Sequence, residues 1–210
     1  MTKLLYYEDQ YLRETEATVQ RIDGNKVLLD STIFFPQTST EPGDNGKIAG
    51  QRISGLKKEG KDVWHIMEKS PLFKVGDKVK LEIDWNKRLK DIKLHSALHL
   101  LAGPFDKLFN ERAVAGAVKP DHSYLVFKHE LSDEVITKAI QEANAVISKG
   151  VEISSYWDDK REGFRWCQIN DYPAIPDGGL HVKNTKELGS MQLVEKINES
   201  GTQKIKIKTT

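Results

Sequence analysis

The sequence predicts an α+β protein. A small N-terminal β-barrel domain is expected over residues 1–85, followed by an α+β domain over residues 86–210 in which helices pack on an antiparallel sheet. The first 85 residues alternate apolar and polar positions between tight turns and show no long helical pattern. After Asp84 the apolar residues recur at helical intervals. A length of 210 residues is enough for two small domains that each bury a core.

Turn signals define the strands of the N-terminal part. The segment ATVQRIDGNKVLLDSTIFF alternates on both sides of Asp23-Gly24-Asn25, which predicts a β-hairpin. A loop rich in Pro, Gly, Ser and Thr follows (FPQTSTEPGDNGKIAG), and ISGLKKEGKDVWHIME predicts a second hairpin around Glu59-Gly60. KVGDKVKLEID adds a further strand. Short strands joined by tight turns, without a long helix, are typical of a small barrel.

The C-terminal part combines helices with further strands. The segment DWNKRLKDIKLHSALHLLAGPFDKLF predicts a helix, with Gly103-Pro104 as its expected end. SDEVITKAIQEANAVISKG predicts a second helix, because Ser132 can cap its N-terminus and Gly150 its C-terminus. DYPAIPDGGLHV predicts a loop, and TKELGS a short helix or turn. The predicted strands are SYLVFKHEL, VEISSYWD, FRWCQI, MQLVEKI and TQKIKIKT.

Composition narrows the class of protein. No apolar run approaches the ~18 residues of a membrane span, and the N-terminus turns acidic and aromatic where a signal peptide would be apolar, so we expect a cytoplasmic protein without a membrane partner. The net charge of +1 gives no sign of a nucleic-acid-binding protein, so any such binding must come from local clusters of basic residues, and no DNA partner is expected. Cys167 is the only cysteine, which excludes an intramolecular disulfide. Its alternation with aromatic residues in FRWCQI predicts a buried strand position.

Two histidines within the first predicted helix are the main chemical signal. His95 and His99 are four residues apart, so both lie on one face of a helix and could bind one metal ion. Ser96 stands where a zinc protease needs a glutamate, which excludes that enzyme class. A single ion needs further ligands, and Asp177 and His181 in DGGLH are candidates because the intervening glycines let the backbone bend. An alternative remains open, in which Asp177 caps a turn and His181 begins a strand.

The two histidine segments also carry a family resemblance. HSALHLL and GGLHVKNTKELG resemble the paired zinc motifs of the alanyl-tRNA synthetase editing domain, H-[TS]-A-x-H-L-L and C-G-G-T-H-V-x-x-T-x-E-I-G. VLLDSTIFFP and GDNGKI resemble the opening domain of that family, and DWNKRLKDIKLH resembles its lead-in to the first motif. At this length the chain is expected to lack an aminoacylation domain. It is therefore similar to the free-standing editing proteins of the AlaX family, in their medium form with both domains.

This resemblance implies an activity and a cofactor. Such proteins hydrolyse Ser-tRNA(Ala), and sometimes Gly-tRNA(Ala), with a bound metal ion. The implied ligands are His95, His99 and His181, with Asp177 at the position of the motif cysteine. Zn²⁺ is the expected ion, and the carboxylate makes Mn²⁺, Fe²⁺ or Co²⁺ acceptable as well. Thr32, His95 and His99 are the implied catalytic residues; Thr32 matches the family threonine that distinguishes serine from alanine, and no covalent nucleophile is expected.

The remaining predictions concern the substrate. Ser39, Thr40 and Glu41 stand where relatives have Gly-Gly-Gln in a loop of the substrate pocket. The expected partner is mischarged tRNA, whose phosphates would contact basic residues near the metal motifs. Those predicted residues are Lys87, Arg88, Lys183 and Lys186. The departures at Asp177 and in the pocket loop leave two alternatives open: an RNA-binding module that has lost hydrolysis, and a deacylase of another aminoacyl-tRNA.

Overall fold

The computed structural model describes residues 1–210 and has an α+β fold, which confirms the predicted class. The chain forms two compact units, Met1–Lys90 and Asp91–Thr210. Pairing between strands is antiparallel except for one short parallel pair in the first unit. None of the helices combines the length with the apolar character that a membrane crossing requires.

The first unit is built from short strands. They are β1 (Lys3–Leu4), β2 (Glu14–Asp23), β3 (Lys26–Leu29), β4 (Ser31–Thr32), β5 (Gly46–Ile48), β6 (Gln51–Glu59), β7 (Asp62–Met67) and β8 (Lys78–Ile83), with a 3-10 turn at Leu5–Tyr7. Six of them pair in a closed ring in the order β2-β3-β7-β6-β5-β8, while β1 and β4 form the parallel pair. Strand alternation sends one set of side chains inside the ring, where Val27, Leu29 and Leu81 belong to a common buried cluster.

Both predicted hairpins of this unit are confirmed. β2 and β3 are joined at Gly24, and β6 and β7 at Gly60; these glycines have φ values of 60° and 59°, which a residue with a Cβ rarely adopts. The strands β1 and β5 were not predicted, and β4 lies near the end of the segment predicted as the first hairpin. Two or three residues are too few to show an alternating pattern, so pairing with neighbours defines these strands.

The second unit combines two helices with two antiparallel sheets. Its elements are α1 (Trp85–Phe109, which begins in the first unit), β9 (Ala115–Val118), β10 (Ser123–Phe127), α2 (Asp133–Lys149), β11 (Ile153–Trp157), β12 (Arg165–Ile169), β13 (Ile175–Pro176), a 3-10 helix (Thr185–Leu188), β14 (Met191–Glu199) and β15 (Thr202–Thr209). One sheet has the order β14-β15-β10-β9, and the other β11-β12-β13. Helix α2 has the predicted caps: the Ser132 hydroxyl accepts from the Val135 amide, and Gly150 is left-handed with φ 73°.

The predicted end of α1 is wrong. The helix continues through Gly103-Pro104 to Phe109. A Cβ on Gly103 would lie 2.4 Å from ring atoms of Tyr172, so this glycine allows the helix to approach that ring closely. Phe105 is fully buried and its ring centroid lies 4.7 Å from that of Phe127. Tertiary packing of this last part of the helix thus outweighs the loss of the Pro104 hydrogen bond.

Candidate metal centre and its surroundings

Four side chains of the second unit converge on one point. They are His95, His99, Asp177 and His181, and their candidate ligand atoms all lie within 4.8 Å of one another. The Nε2 atoms of His95 and His99 are 3.0 Å apart, and an oxygen of Asp177 lies 3.5 Å and 3.7 Å from them. Ligands bound at about 2.0–2.1 Å in a tetrahedron lie about 3.3 Å apart. The spacing of the cluster therefore fits a tetrahedral divalent ion.

Helix α1 supplies two of these side chains from one buried face. His95 and His99 follow each other by one turn, and only 5% and 8% of their surfaces are exposed. Their rings are nearly perpendicular, at 87°, with centroids 4.6 Å apart. Burying two imidazoles on a mainly apolar face of a helix costs free energy of folding unless their nitrogen atoms have bonding partners.

The loop after β13 supplies the other two side chains. The backbone amide of Asp177 donates to the carbonyl of Arg165 at 2.9 Å, which continues the pairing of β12 with β13. The Asp177 carboxylate accepts from the amide of Gly179 at 3.0 Å. Neither glycine of DGGLH has a positive φ. The aspartate side chain thus closes the bend, and the predicted role of the glycines in it stays a prediction.

Hydrogen bonds on the far side of two rings fix which nitrogen atom faces the centre. The Nδ1 of His95 lies 3.1 Å from the carbonyl of Leu180, which only accepts, so this nitrogen carries the proton. The hydroxyl of Ser96 donates to the carbonyl of Ile92 at 2.7 Å and therefore accepts from Nδ1 of His181 at 3.2 Å. Both rings consequently present an unprotonated Nε2 to the centre, as metal-binding histidines do.

The charges of the cluster also favour a cation. Nε2 of His181 lies 2.8 Å from the Asp177 carboxylate, a distance that two acceptors tolerate only with a proton or cation between them. Burial alone would raise the pKa of Asp177, but His95 and His181 hold it well below its ordinary value. Burial, followed by the neighbouring His95 and His181, lowers the pKa of His99 far below 6.5. The cluster thus offers one carboxylate and three imidazole nitrogen atoms, and this donor set fits a divalent ion.

Ser96 is a functional candidate that the sequence analysis did not assign. Its hydroxyl contacts three groups at once, since it also accepts from the backbone amide of Val182 at 3.0 Å. It thereby connects α1 to the segment that carries His181. A small hydroxyl residue directly after the first histidine is the sequence signal that could have indicated this role.

Thr32, the predicted specificity residue, lies in the first unit and is fully buried. Its hydroxyl is 2.7 Å from Nε2 of His65 and accepts from the amide of Phe34 at 3.1 Å. Nδ1 of His65 lies 3.2 Å from the carbonyl of Val27, so the proton is on Nδ1 and Nε2 accepts from Thr32. His65 was not singled out in the sequence, because a histidine in a strand pattern has no metal-ligand spacing.

The other predicted substrate residues are at the surface of the first unit. Ser39 and Thr40 are exposed and Glu41 is half-buried. They lie in a turn that Thr38 closes: its hydroxyl accepts from the amides of Thr40 and Glu41 at 3.2 and 2.9 Å. Their role in a substrate pocket stays a prediction.

The predicted tRNA contacts differ in accessibility. Lys183 and Lys186 are exposed. Lys87 is half-buried, and its ammonium donates to the carbonyl of Gly43 at 2.6 Å. Arg88 is 2% exposed and its guanidinium is paired with the Asp44 carboxylate. The assignment of Arg88 to tRNA is therefore wrong: this side chain is a buried structural cation, because its donors are directed at Asp44 and at backbone carbonyls.

The burial of His65 predicts a pH-dependent loss of stability. Burial lowers the pKa of His65 from 6.5 to about 4, so the unfolded chain takes up a proton before the folded chain does. The stability of the fold with a neutral, buried His65 is therefore complete above pH 6.5 and is lost as the pH falls towards 4. We expect the free energy of unfolding to fall by about 3 kcal/mol over this range from this residue alone. Urea unfolding at pH 7 and pH 4 measures it.

The control for this prediction is His65→Asn, which keeps a polar side chain but does not titrate in this range. Its pH dependence should be smaller than that of the wild type by the stated amount. Equal pH dependence of the two proteins would show that His65 is protonated in the folded state and that its burial carries no such penalty.

The fold and the cluster together define an α+β protein with a potential centre for a divalent ion. The chain is 35% identical over 201 residues to the alanyl-tRNA editing protein AlaX-M of Pyrococcus horikoshii, covering 93% of this chain and 92% of that protein. It is 32% identical to AlaX-M of Saccharolobus solfataricus, covering 95% and 94% of the two chains. It is also 30% identical to alanine–tRNA ligase of Metallosphaera sedula, over 94% of this chain but 25% of that enzyme. No protein-family model matches the chain. The chain belongs to the AlaX family of alanyl-tRNA editing proteins.

Proposed function

We propose that this protein is a trans-editing hydrolase that removes the amino acid from mischarged tRNA(Ala), with Ser-tRNA(Ala) as its main substrate and Gly-tRNA(Ala) as a second one. Membership of the AlaX family supports alanyl-tRNA editing. The observation that carries a metal-assisted reaction is the convergence of three imidazoles and one carboxylate on one point. In this proposal the six-strand ring is the small β-barrel domain, residues 1–85, and residues 86–210 form the editing domain.

His95, His99, Asp177 and His181 would hold the ion. Zn²⁺ fits three imidazoles and a carboxylate, and the hard oxygen ligand makes Mn²⁺, Fe²⁺ or Co²⁺ acceptable too. A bound divalent ion supplies positive charge that polarises an ester carbonyl or lowers the pKa of a water molecule. An aminoacyl ester is already reactive, so modest assistance to a water molecule is sufficient.

The protein's own residues then orient the reactants. Ser96 and the carbonyl of Leu180 hold the rings of His181 and His95 with Nε2 inward. Cys167, the only thiol, is 2% exposed and lies on the buried side of β12, as expected from the sequence. Burial, together with the charge of Asp177, raises the pKa of this thiol far above its ordinary value. A thiolate nucleophile is thus not accessible, which supports direct attack by water.

The hydrogen bonds of Thr32 support a preference for serine. Its hydroxyl proton goes to His65 and one lone pair accepts from the Phe34 amide, so the remaining lone pair can only accept. A seryl hydroxyl can donate to it, whereas an alanyl methyl group leaves it unpaired. A site that hydrogen-bonds a substrate hydroxyl rejects the analogue that lacks it more strongly than an apolar pocket does. Ser39, Thr40 and Glu41 are proposed to line the same pocket, and Lys87, Lys183 and Lys186 to contact tRNA.

Release of labelled amino acid tests this proposal. We expect the wild type to release serine from Ser-tRNA(Ala), to release glycine from Gly-tRNA(Ala) more slowly, and to leave Ala-tRNA(Ala) intact. A chelator should abolish release, and added Zn²⁺ should restore it. Binding of tRNA without release in any metal would contradict the proposal and favour an RNA-binding module. Release from a different charged tRNA, with Ser-tRNA(Ala) untouched, would instead identify another deacylase.

A further inference from the structure

The hairpin of β11 and β12 presents two adjacent aromatic side chains to solvent. Tyr156 is 46% exposed and Trp157 is 49% exposed, although residues of this size are normally more buried. Consecutive residues of a strand point to opposite faces of a sheet. Tyr156 is paired with Trp166, and Trp157 with Arg165. The two exposed rings therefore belong to different faces of the same hairpin.

Trp157 lies on the face that carries a proposed metal ligand. β12 and β13 pair with Trp166 opposite Pro176, and the amide of Asp177 donates to the carbonyl of Arg165 at 2.9 Å. Extending this register by one residue places Asp177 opposite Arg165. Trp157, Arg165 and Asp177 thus form one row across three strands. Because neighbouring strands are about 4.8 Å apart, the row spans about 10 Å from Trp157 to Asp177.

One basic side chain contacts this aromatic ring, and a second is exposed near the other end of β11. The guanidinium of Arg165 lies 5.2 Å from the ring centroid of Trp157, which is within cation–π range. Lys183, two residues after His181, is exposed, and its carbonyl accepts from the amide of Ile153 at the start of β11. Four residues of strand, about 13 Å, separate that position from Trp157. Arg165 thus lies between the ring and the centre, and the exposed Lys183 lies beside the start of β11.

Asp158 links the two strands of the hairpin by hydrogen bonds. Its carboxylate accepts from the indole of Trp166 at 2.8 Å, from the amide of Lys160 at 2.9 Å and from the guanidinium of Arg161 at 2.8 Å. Its own amide donates to the carbonyl of Phe164 at 2.8 Å. The hydrogen bond from Trp166, followed by that from Arg161, lowers the pKa of Asp158 to about 2. These bonds fix the backbone next to Trp157, the preceding residue.

We propose that Trp157 is the stacking platform for the terminal, unpaired base of the tRNA acceptor end. This inference rests on the proposed function. The amino acid is esterified to the ribose of that same nucleotide, so an ester at the His/Asp centre brings the terminal base within one nucleotide's length of it. The distance along the row from Asp177 to Trp157 is of that size. Aromatic side chains bind unpaired bases by stacking, and the exposed Lys183, rather than the buried Arg165, is the basic residue of this region that can contact a phosphate.

Binding of uncharged RNA hairpins that end in CCA or in CC tests this role without requiring hydrolysis. We expect loss of the terminal adenosine to weaken binding to the wild type about tenfold. Trp157→Ala should bind both RNAs equally, at the weaker level, and Trp157→Phe should regain most of the difference. The matched control is Tyr156→Ala, which removes a ring of similar exposure from the other face and should keep the wild-type response to the terminal base.

The outcomes separate this inference from the proposed function. If the wild type releases serine but Trp157→Ala keeps the full response to the terminal adenosine, the platform is wrong and the editing function stands. If the wild type neither binds the hairpins nor releases an amino acid, both are wrong. If Trp157→Ala leaves RNA binding unchanged but shifts the sedimentation coefficient, this face is an interface between copies of the chain, and the inference is overturned.

Discussion

Alanine in place of His95 is expected to lower the rate of serine release by about a thousandfold or more, because loss of several kcal/mol of transition-state stabilisation has this effect. His95 approaches both His99 and Asp177 within 3.5 Å, so its removal leaves three side chains around an incomplete site. Elemental analysis provides a second measurement. The bound divalent metal should fall from about one ion per chain in the wild type to a small fraction of that.

His129→Ala is the matched control, since His129 is an exposed histidine whose partner is Glu111, outside the cluster. It should keep both the metal and the activity. Asp177→Cys gives a further contrast, because a thiolate restores the family motif and should hold Zn²⁺ at least as tightly while disfavouring Mn²⁺. A metal-free wild type, purified without chelators, that still releases serine would contradict the assignment of the four ligands.

Half of the candidate centre could be predicted from local sequence. Helical geometry alone puts His95 and His99 on one face, and the structure has them there. Asp177 and His181 follow more than seventy residues later. Their residue types made them candidates, and the family resemblance then connected them with the helix. Their arrangement depends on the pairing of β12 with β13 and on the hydroxyl of Ser96, which no spacing rule describes. The structure brings all four together as expected.

The fold shows the same division between local and long-range information. The two hairpins and helix α2 are determined by turn and cap residues, such as Gly24, Gly60 and Ser132, and their predictions are confirmed. The predicted end of α1 was wrong because packing against Tyr172 and packing of Phe105, rather than the local Gly-Pro signal, determine where the helix ends.

Arg88 shows how charge patterns mislead. It stands among lysines in the sequence and was expected to contact tRNA at the surface. In the structure it is buried, because its guanidinium pairs with the buried carboxylate of Asp44, which is distant along the chain. A cluster of basic residues in a sequence predicts that most of its members are exposed to solvent. It does not identify the one member whose partner lies in another part of the fold, since that partner is set by tertiary structure.

Alanine in place of Asp44 is expected to lower the free energy of unfolding by about 3–5 kcal/mol, because it leaves the Arg88 guanidinium buried without its counter-charge. Asp44 accepts from Nε of Arg88 at 2.8 Å and from the amide of Phe35 at 2.6 Å, so both partners lose a hydrogen bond. Urea unfolding at pH 7 measures the change.

Asp171→Ala is the control: the pair of Asp171 with Lys107 is exposed and should contribute at most about 1 kcal/mol. The double variant Asp44→Leu/Arg88→Met should recover much of the loss, since removing both charges also removes their desolvation. Equal destabilisation by the single and double variants would show that packing of the two side chains, rather than the unpaired charge, determines the cost.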